Sequence, residues 1–257
     1  MDTVERLTPT QDPIPDPIWR TRVDLAAALQ LAAQLQLNEG IDNHFTARVP
    51  GTTNRFFINP KPLHWSEITA SDVLVVGADG RVVDARGYGP PRSGVAIHIP
   101  IHQAHPRGAC VFHLHMPWST AIAAIKGGRL EMVHQNAARF YDDIAYDDDF
   151  NGIALDQSEG RRLARCFSDK SVLFLANHGV IVAAETVAEA FDILYFIERA
   201  SQVQVLAMGS GRPLNVMSEA LALKTKAGFQ GAKVAAHQHF EALKRAFLDR
   251  DGSKYAS

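Results

Sequence analysis

Two periodicities take turns along the chain. Over residues 18–37 apolar positions return at helical spacing through an Ala/Leu/Gln-rich run, which predicts a helix. Asn38-Glu39-Gly40 ends it, since Gly40 can take a positive φ. The period then drops to two. Residues 41–49 and 54–60 alternate as strands, with turn chemistry between them in Gly51-Thr52-Thr53-Asn54. Residues 73–76 form a short apolar strand, and Ala78-Asp79-Gly80 turns the chain into Arg81-Val82-Val83. Helical spacing resumes from Ser93 or Gly94 to about His105. Ser93 is the expected N-cap, and Pro100 is expected to kink the helix or shift its start. Strands follow at 110–116, 171–175 and 180–182. Helices follow at 117–125, at 158–167 with Ser158 as cap, and at 186–208 with Thr186 as cap and Glu189 in the capping-box place. One long helix is expected over 218–247. Strands interleave with helices and hairpins are frequent, which predicts an α/β fold with helices on both faces of a mixed sheet. We expect a single domain over 1–257. Residues 1–16, with Pro13 and Pro15, form an irregular arm, and 211–257 a C-terminal helical extension.

Composition narrows the function classes. The chain has 257 residues, 46% hydrophobic and 21% charged, which is an ordinary globular balance. A formal net charge of -2 leaves no electrostatic footprint for nucleic acid. No apolar run reaches the ~20 residues of a membrane span, and no secretory signal pattern opens the sequence. The two cysteines, Cys110 and Cys166, are far apart and suggest a reducing compartment. The expectation is a cytoplasmic protein with a small-molecule substrate and no nucleic-acid or membrane partner. Eleven histidines direct attention to metal or acid–base chemistry.

The histidine pattern is concentrated in Val111-Phe112-His113-Leu114-His115-Met116-Pro117. Residues i and i+2 of a strand share a face, so His113 and His115 aim two imidazoles at one point from backbones roughly 6–7 Å apart. That span suits one metal ion with ring nitrogens at about 2.0–2.1 Å. Pro117 ends the strand and can open a helix. His178, flanked by Asn177 and Gly179 after an apolar strand, is the candidate third ligand. Three histidines with a fourth position open make a catalytic rather than a structural site. His98, His102 and His105 lie at i, i+4 and i+7 on one helical face. They offer either a second metal site or hydrogen-bond partners near the first. Asp147-Asp148-Asp149 reads as a solvated loop with calcium as its functional alternative, and His237 and His239 read as surface residues.

In Asn43-His44 with Arg48, Ile97-His98, Ile101-His102, His113-x-His115 and Asn177-His178-Gly179 the sequence resembles the class II aldolase/adducin family, from about residue 20 to 210. The resemblance implies a three-layer α/β/α sandwich with a mixed, largely antiparallel central sheet. It implies one divalent metal per chain, zinc ahead of manganese or iron, on His113, His115 and His178. It also implies a homo-oligomer, a tetramer, with active sites at subunit interfaces, and a tyrosine proton donor near Tyr141 that reaches a neighbouring subunit.

Departures from the family redirect the expected chemistry. Family aldolases carry Ser-Ser-Glu ahead of the helix histidine, and its glutamate is their acid/base. Here those places are Arg92, Ser93 and Gly94. The phosphate-binding turn after the hairpin is replaced by Asn59-Pro60-Lys61-Pro62. The expected substrate is therefore a small hydroxy or carboxylic acid rather than a sugar phosphate, held by Asn43, Lys61, Arg92 and Ser93, with Arg92 forking a carboxylate. The expected reaction is that of a metal-dependent lyase, by aldol-type cleavage or decarboxylation. A non-haem iron oxygenase for a hydroxy-aryl acid is the first alternative, and a non-catalytic adducin-like interaction protein the second.

Overall fold

A computed structural model describes residues 16–229 and 231–257. The expected N-terminal arm lies outside the described residues except for Asp16, whose carboxylate caps α1 (Pro17–Gln34) by accepting from Ile18 N. β1 (His44–Arg48) and β2 (Arg55–Ile58) form the expected hairpin, extended by β3 (Leu74–Gly77) and β4 (Val82–Asp84). β5 (Cys110–Leu114) pairs antiparallel with β1 on one side and with β8 (Gly179–Ala184) on the other. β7 (Val172–Leu175) follows β8, and β6 (Ile144–Asp147) closes the edge in the one parallel pairing. The order is β4-β3-β2-β1-β5-β8-β7-β6. The mixed, largely antiparallel sheet read from the hairpin signals is the sheet observed.

Strand alternation sorts the side chains between two helical layers. Phe45 and Ala47 of β1 and Cys110, Phe112 and Leu114 of β5 join a core with α1, α3 (Pro117–Ala123) and α5 (Val187–Met208). Phe45 and Phe112 stack across the strands with centroids 3.8 Å apart. On the opposite face, Val111, Leu173, Ile181 and Ala183 pack against Ala96, Ile97 and Ile101 of α2 (Arg92–Ala104) and Leu163 and Phe167 of α4 (Gln157–Phe167). These are the three layers of the α/β/α sandwich.

Several boundaries differ from expectation for local reasons. α2 starts at Arg92 after Pro91, so Ser93 lies inside the first turn instead of capping it. Pro100 sits within α2 without dividing it. The cap of α4 is Asp156, whose carboxylate accepts from Ser158 N at 2.7 Å. Thr186 caps α5 as expected, but Glu189 accepts from Glu185 N, one residue before the capping-box donor. The single long helix expected over 218–247 is two, α6 (Glu219–Ala227) and α7 (Ala232–Leu243), followed by a wider turn over Lys244–Asp249. Gly228 ends α6, and Gly231, at φ +80°, restarts the chain in the left-handed region. Apolar periodicity continues across this break because both helices present a face to one core, through Ala222 and then Phe240 and Leu243.

α2 and α4 approach closely at Gly160. A Cβ there would lie 2.2 Å from Ala96 O and 2.9 Å from Pro100 Cγ. Pro100 has no N–H to give the Ala96 carbonyl, and the α4 backbone fills that side instead. Gly160→Ala should therefore destabilise the fold by about 1–3 kcal/mol through forced separation of the helices. The denaturant midpoint should fall accordingly, whereas an unchanged midpoint would mean the two helices can part freely.

Candidate metal centre

The register of three strands assembles the site. His44 of β1 lies opposite His113 of β5, and His113 lies opposite Ile181 of β8. His113, at the buried end of the pattern, is 1% exposed. His115 follows β5 on the same face, and His178 comes from the turn that joins β7 to β8. Asn177 takes φ +56° in that turn. Gly179 lets β8 pass close to β5, since a Cβ would fall 2.4 Å from Leu114 O and 3.0 Å from His115 Cδ2. The ligand atoms of His113, His115 and His178 lie within 4.8 Å of one another.

Hydrogen bonds behind the rings decide which nitrogens face inward. His113 Nδ1 donates to Val180 O at 2.9 Å, and His115 Nδ1 donates to a Glu39 carboxylate oxygen at 2.5 Å. With both rings in the neutral form, both Nε2 atoms carry lone pairs, and they face each other at 3.0 Å. Two acceptors at that distance repel unless a cation lies between them. Burial, reinforced by the neighbouring imidazoles, holds His113 well below the ordinary histidine range, and burial pushes His178 down to about 4. Neutral imidazole is the metal-ligating form, so the donor set fits a divalent ion with nitrogen preference.

A cavity of about 420 Å³ opens over the three histidines. Asn43, Lys61 and Ser93 line it as expected, with Asp42, His44, Ile97, Phe150, Ile153 and Asn177 completing much of the wall. Asn43 takes φ +71° and its Oδ1 accepts from Glu39 N at 3.1 Å, while its buried Nδ2 has no partner among the described residues. Lys61 reaches Asp42 at 2.5 Å. Two expected site residues stand elsewhere. Arg92 is exposed in the first turn of α2, outside the cavity wall. Tyr141 lies beside α6, where Lys226 Nζ donates to its carbonyl at 2.6 Å, and does not line the cavity of its own chain.

The helix histidines divide. His98 Nε2 is 2.9 Å from His44 Nδ1, and Thr46 Oγ1 is 2.7 Å from both His98 Nδ1 and His102 Nε2. His105 turns away and donates to Lys170 O at 2.8 Å. The second metal site considered for this trio does not form among the described residues, since the ring nitrogens are engaged by His44, Thr46, the Arg107 amide and the carbonyls of Gly108 and Lys170. Arg48 ties the end of α2 to β1 through His102 O. The acidic run is also spoken for. Asp147 pairs with Arg162, and Asp148 with Arg129, so calcium is not favoured there. His237 is exposed as expected, but His239 is partly buried against Tyr195 and bonded to Asp192 at 2.8 Å.

Sequence reasoning missed Glu39, Thr46 and Glu198. Glu198, 5% exposed on α5, accepts from Trp118 N and Ser119 N at 2.8 and 2.9 Å and so anchors the first turn of α3 directly after the histidine strand. Nothing near it in sequence signals that contact. Thr46 was visible in principle, because it shares the strand face of His44 two residues away.

An α/β/α sandwich carrying a three-histidine pocket at the end of a His-x-His strand defines the class of protein. Comparison with known sequences agrees. Residues 23–205 match the family described as Class II Aldolase and Adducin N-terminal domain. A putative aldolase class 2 protein of Caulobacter vibrioides is 37% identical over 194 residues, 76% of this chain and 75% of that one. An adducin-related protein of Schizosaccharomyces pombe is 35% identical over 233 residues, 87% of this chain and 69% of that one. The crystal structure of an aldolase II superfamily protein from Pseudomonas syringae superposes with a TM-score of 0.88 at 35% identity, covering 96% of this chain and 99% of that one. The chain belongs to the class II aldolase/adducin family.

Burial of so many neutral imidazoles makes stability depend on pH. His102 is pushed down to about 3 by burial, and His44, His98 and His113 lie well below their ordinary value of 6.5 for the same first cause. Between pH 6.5 and about 3 the unfolded chain therefore binds more protons than the folded one. Stability is present above pH 6.5 and is lost as pH falls through that window, by up to ~1.4 kcal/mol per pH unit for each such histidine. Denaturant melts of metal-free protein at pH 7.5, 6.0 and 5.0 should show a steep decline that His102→Gln makes shallower. A flat profile would contradict the buried neutral state.

Proposed function

We propose that the chain is a metal-dependent carbon–carbon lyase, aldolase-like or decarboxylating, for a small hydroxy or carboxylic acid. One divalent metal, zinc first, would be held by His113, His115 and His178. The observation that carries this reading is the convergence of the His113, His115 and His178 ligand atoms within 4.8 Å, with acceptors behind His113 Nδ1 and His115 Nδ1. Bound there, the metal supplies Lewis-acid polarisation of a hydroxyl/carboxylate or hydroxyl/carbonyl pair. The chain's residues do the rest. Asn43 Nδ2 is a buried donor with no partner in the cavity wall and suits a substrate oxygen. Ile97, Phe150 and Ile153 make one side of the cavity apolar. Among the described residues Lys61 is the one Lys or Arg of the cavity wall, and Asp42 pairs with it. That supports a singly charged acid over a phosphate dianion.

An oligomeric assembly with interfacial sites belongs to the same proposal. Ile153 and Leu155, 81% and 80% exposed, sit on the loop that borders the cavity, and a neighbouring subunit would cover them. Tyr141, outside its own cavity, would then serve as a donor in a neighbour's site. Light scattering should give a tetramer, and Tyr141→Phe should lower turnover without changing metal content. A monomeric mass would remove this role from Tyr141.

Elemental analysis tests the centre itself. Protein purified without chelator should carry close to one zinc or manganese per chain, and His113→Ala and His178→Ala should abolish it. Glu39→Gln should weaken metal affinity by about 10–100-fold, the usual effect of losing a carboxylate behind a ligating imidazole. Iron with oxygen-dependent turnover would move the assignment to an oxygenase. Absence of metal in the native chain would reject the lyase and favour an adducin-like interaction protein.

A further inference from the structure

Four buried polar residues beside the metal triad form a single file from the cavity into the layer between β1 and α2. Gly108 O, His102, Thr46, His98 and His44 follow one another at 2.6, 2.7, 2.7 and 2.9 Å. The four side-chain residues are no more than 3% exposed, so water cannot re-route the protons. Burial keeps all three imidazoles neutral near pH 7, well below the ordinary range for His44 and His98 and at about 3 for His102.

One end of the file has no choice. The Gly108 carbonyl can only accept, so His102 must carry its proton on Nδ1 and present a lone pair at Nε2. The Thr46 hydroxyl must then donate to His102 Nε2. Its other near partner, Val111 O at 3.0 Å, would leave the His102 lone pair facing the threonine oxygen. Thr46 has one proton, so it accepts from His98 Nδ1, and His98 Nε2 becomes an acceptor. His44 Nδ1 must therefore donate to His98. Each neutral ring has one N–H, so His44 Nε2 is bare.

That bare nitrogen is at the cavity wall. Ser93 Oγ is 3.3 Å from it, and facing an acceptor, the serine hydroxyl must donate and offer its own lone pairs outward. The ring of His44 also fills the space over Gly94, where a Cβ would fall 2.8 Å from His44 Cγ. The place that lacks a carboxylate is thus occupied by an imidazole.

We propose that the Gly108–His102–Thr46–His98 file fixes His44 as the Nδ1–H tautomer, so that its Nε2 holds Ser93 as a donor and the Ser93 oxygen lone pairs face the cavity and select a substrate bearing a hydroxyl donor at that wall. This rests on the reading of the cavity as a hydroxy-acid site. His98, Thr46, His102 and His44 are positioning residues, and Ser93 is the group that meets substrate.

Two-bond proton–nitrogen correlation spectra of zinc-loaded, histidine-¹⁵N protein at pH 7.5 report each tautomer directly, with His44→Gln assigning the His44 signals. The wild type should show Nδ1–H and bare Nε2 for His44, His98 and His102. Thr46→Val, which keeps the shape but removes the hydroxyl, should give mixed tautomers at His44, and Thr46→Ser should restore the single form. Glycolate should bind roughly tenfold tighter than its methyl ether, methoxyacetate, the effect of about one hydrogen bond, and Thr46→Val should shrink that ratio. A protonated Nε2 on wild-type His44, or no preference for glycolate (including no binding of either acid), would overturn the proposal. Zinc content measured on the same samples separates its failure from failure of the metal reading.

Discussion

The register of β1, β5 and β8 is the constraint on which the rest of the site depends. β5 is central, bonded on both sides, and its pairing sets His44 against His113 and His113 against Ile181. A slip of one residue in any pair would turn the imidazoles into the Phe45–Phe112 layer and the phenyl rings toward α2. The stacked phenylalanines beneath the sheet therefore hold the histidines above it in place. Gly179 permits the close approach of β8, and Glu198 grips the turn after His115 from 80 residues away. Core packing and site geometry are two faces of one set of strands.

Polarity is as tightly specified as position. Three ring nitrogens turned away from the cavity give their protons to fixed acceptors: Val180 O behind His113, Glu39 behind His115, and the file ending at Gly108 O behind His44. The cavity is accordingly lined with nitrogen lone pairs, while Asn43 contributes an unpartnered N–H. Such a surface attracts cations and hydrogen-bond donors and has little to offer a dianion.

What could be read from the sequence follows the range of the interactions. His-x-His on a strand and Asn-His-Gly at a strand end are local patterns with one geometric outcome, so the triad was legible, as was the mixed sheet from its hairpins. The α6/α7 break was less so, because apolar spacing continues through Gly228 and Gly231 and a single helix satisfies it equally well. Arg92 shows that a position aligned with a binding residue does not fix where its side chain lies, since it opens α2 exposed to solvent while Ser93 beside it lines the cavity. Glu39, Glu198 and the pairing of His239 with Asp192 depend on partners 76, 80 and 47 residues away. No window along the chain contains both halves of these contacts. Thr46 lay between, since its strand face was predictable but its two histidine partners on α2 were not.

The three histidines of the centre differ in mobility as well as role. His113 is anchored in the sheet and almost fully buried, whereas His115 is a quarter exposed and its partner Glu39 stands largely in solvent. An ion leaving this pocket would lose its hold on the rim before its hold on the sheet. Exchange would then proceed as a sequence of steps, with the outer imidazole acting as a door and the inner one as a hinge. The lifetime of an ion in the pocket would be governed at the surface turn that carries Glu39, a segment that contributes no ligand of its own.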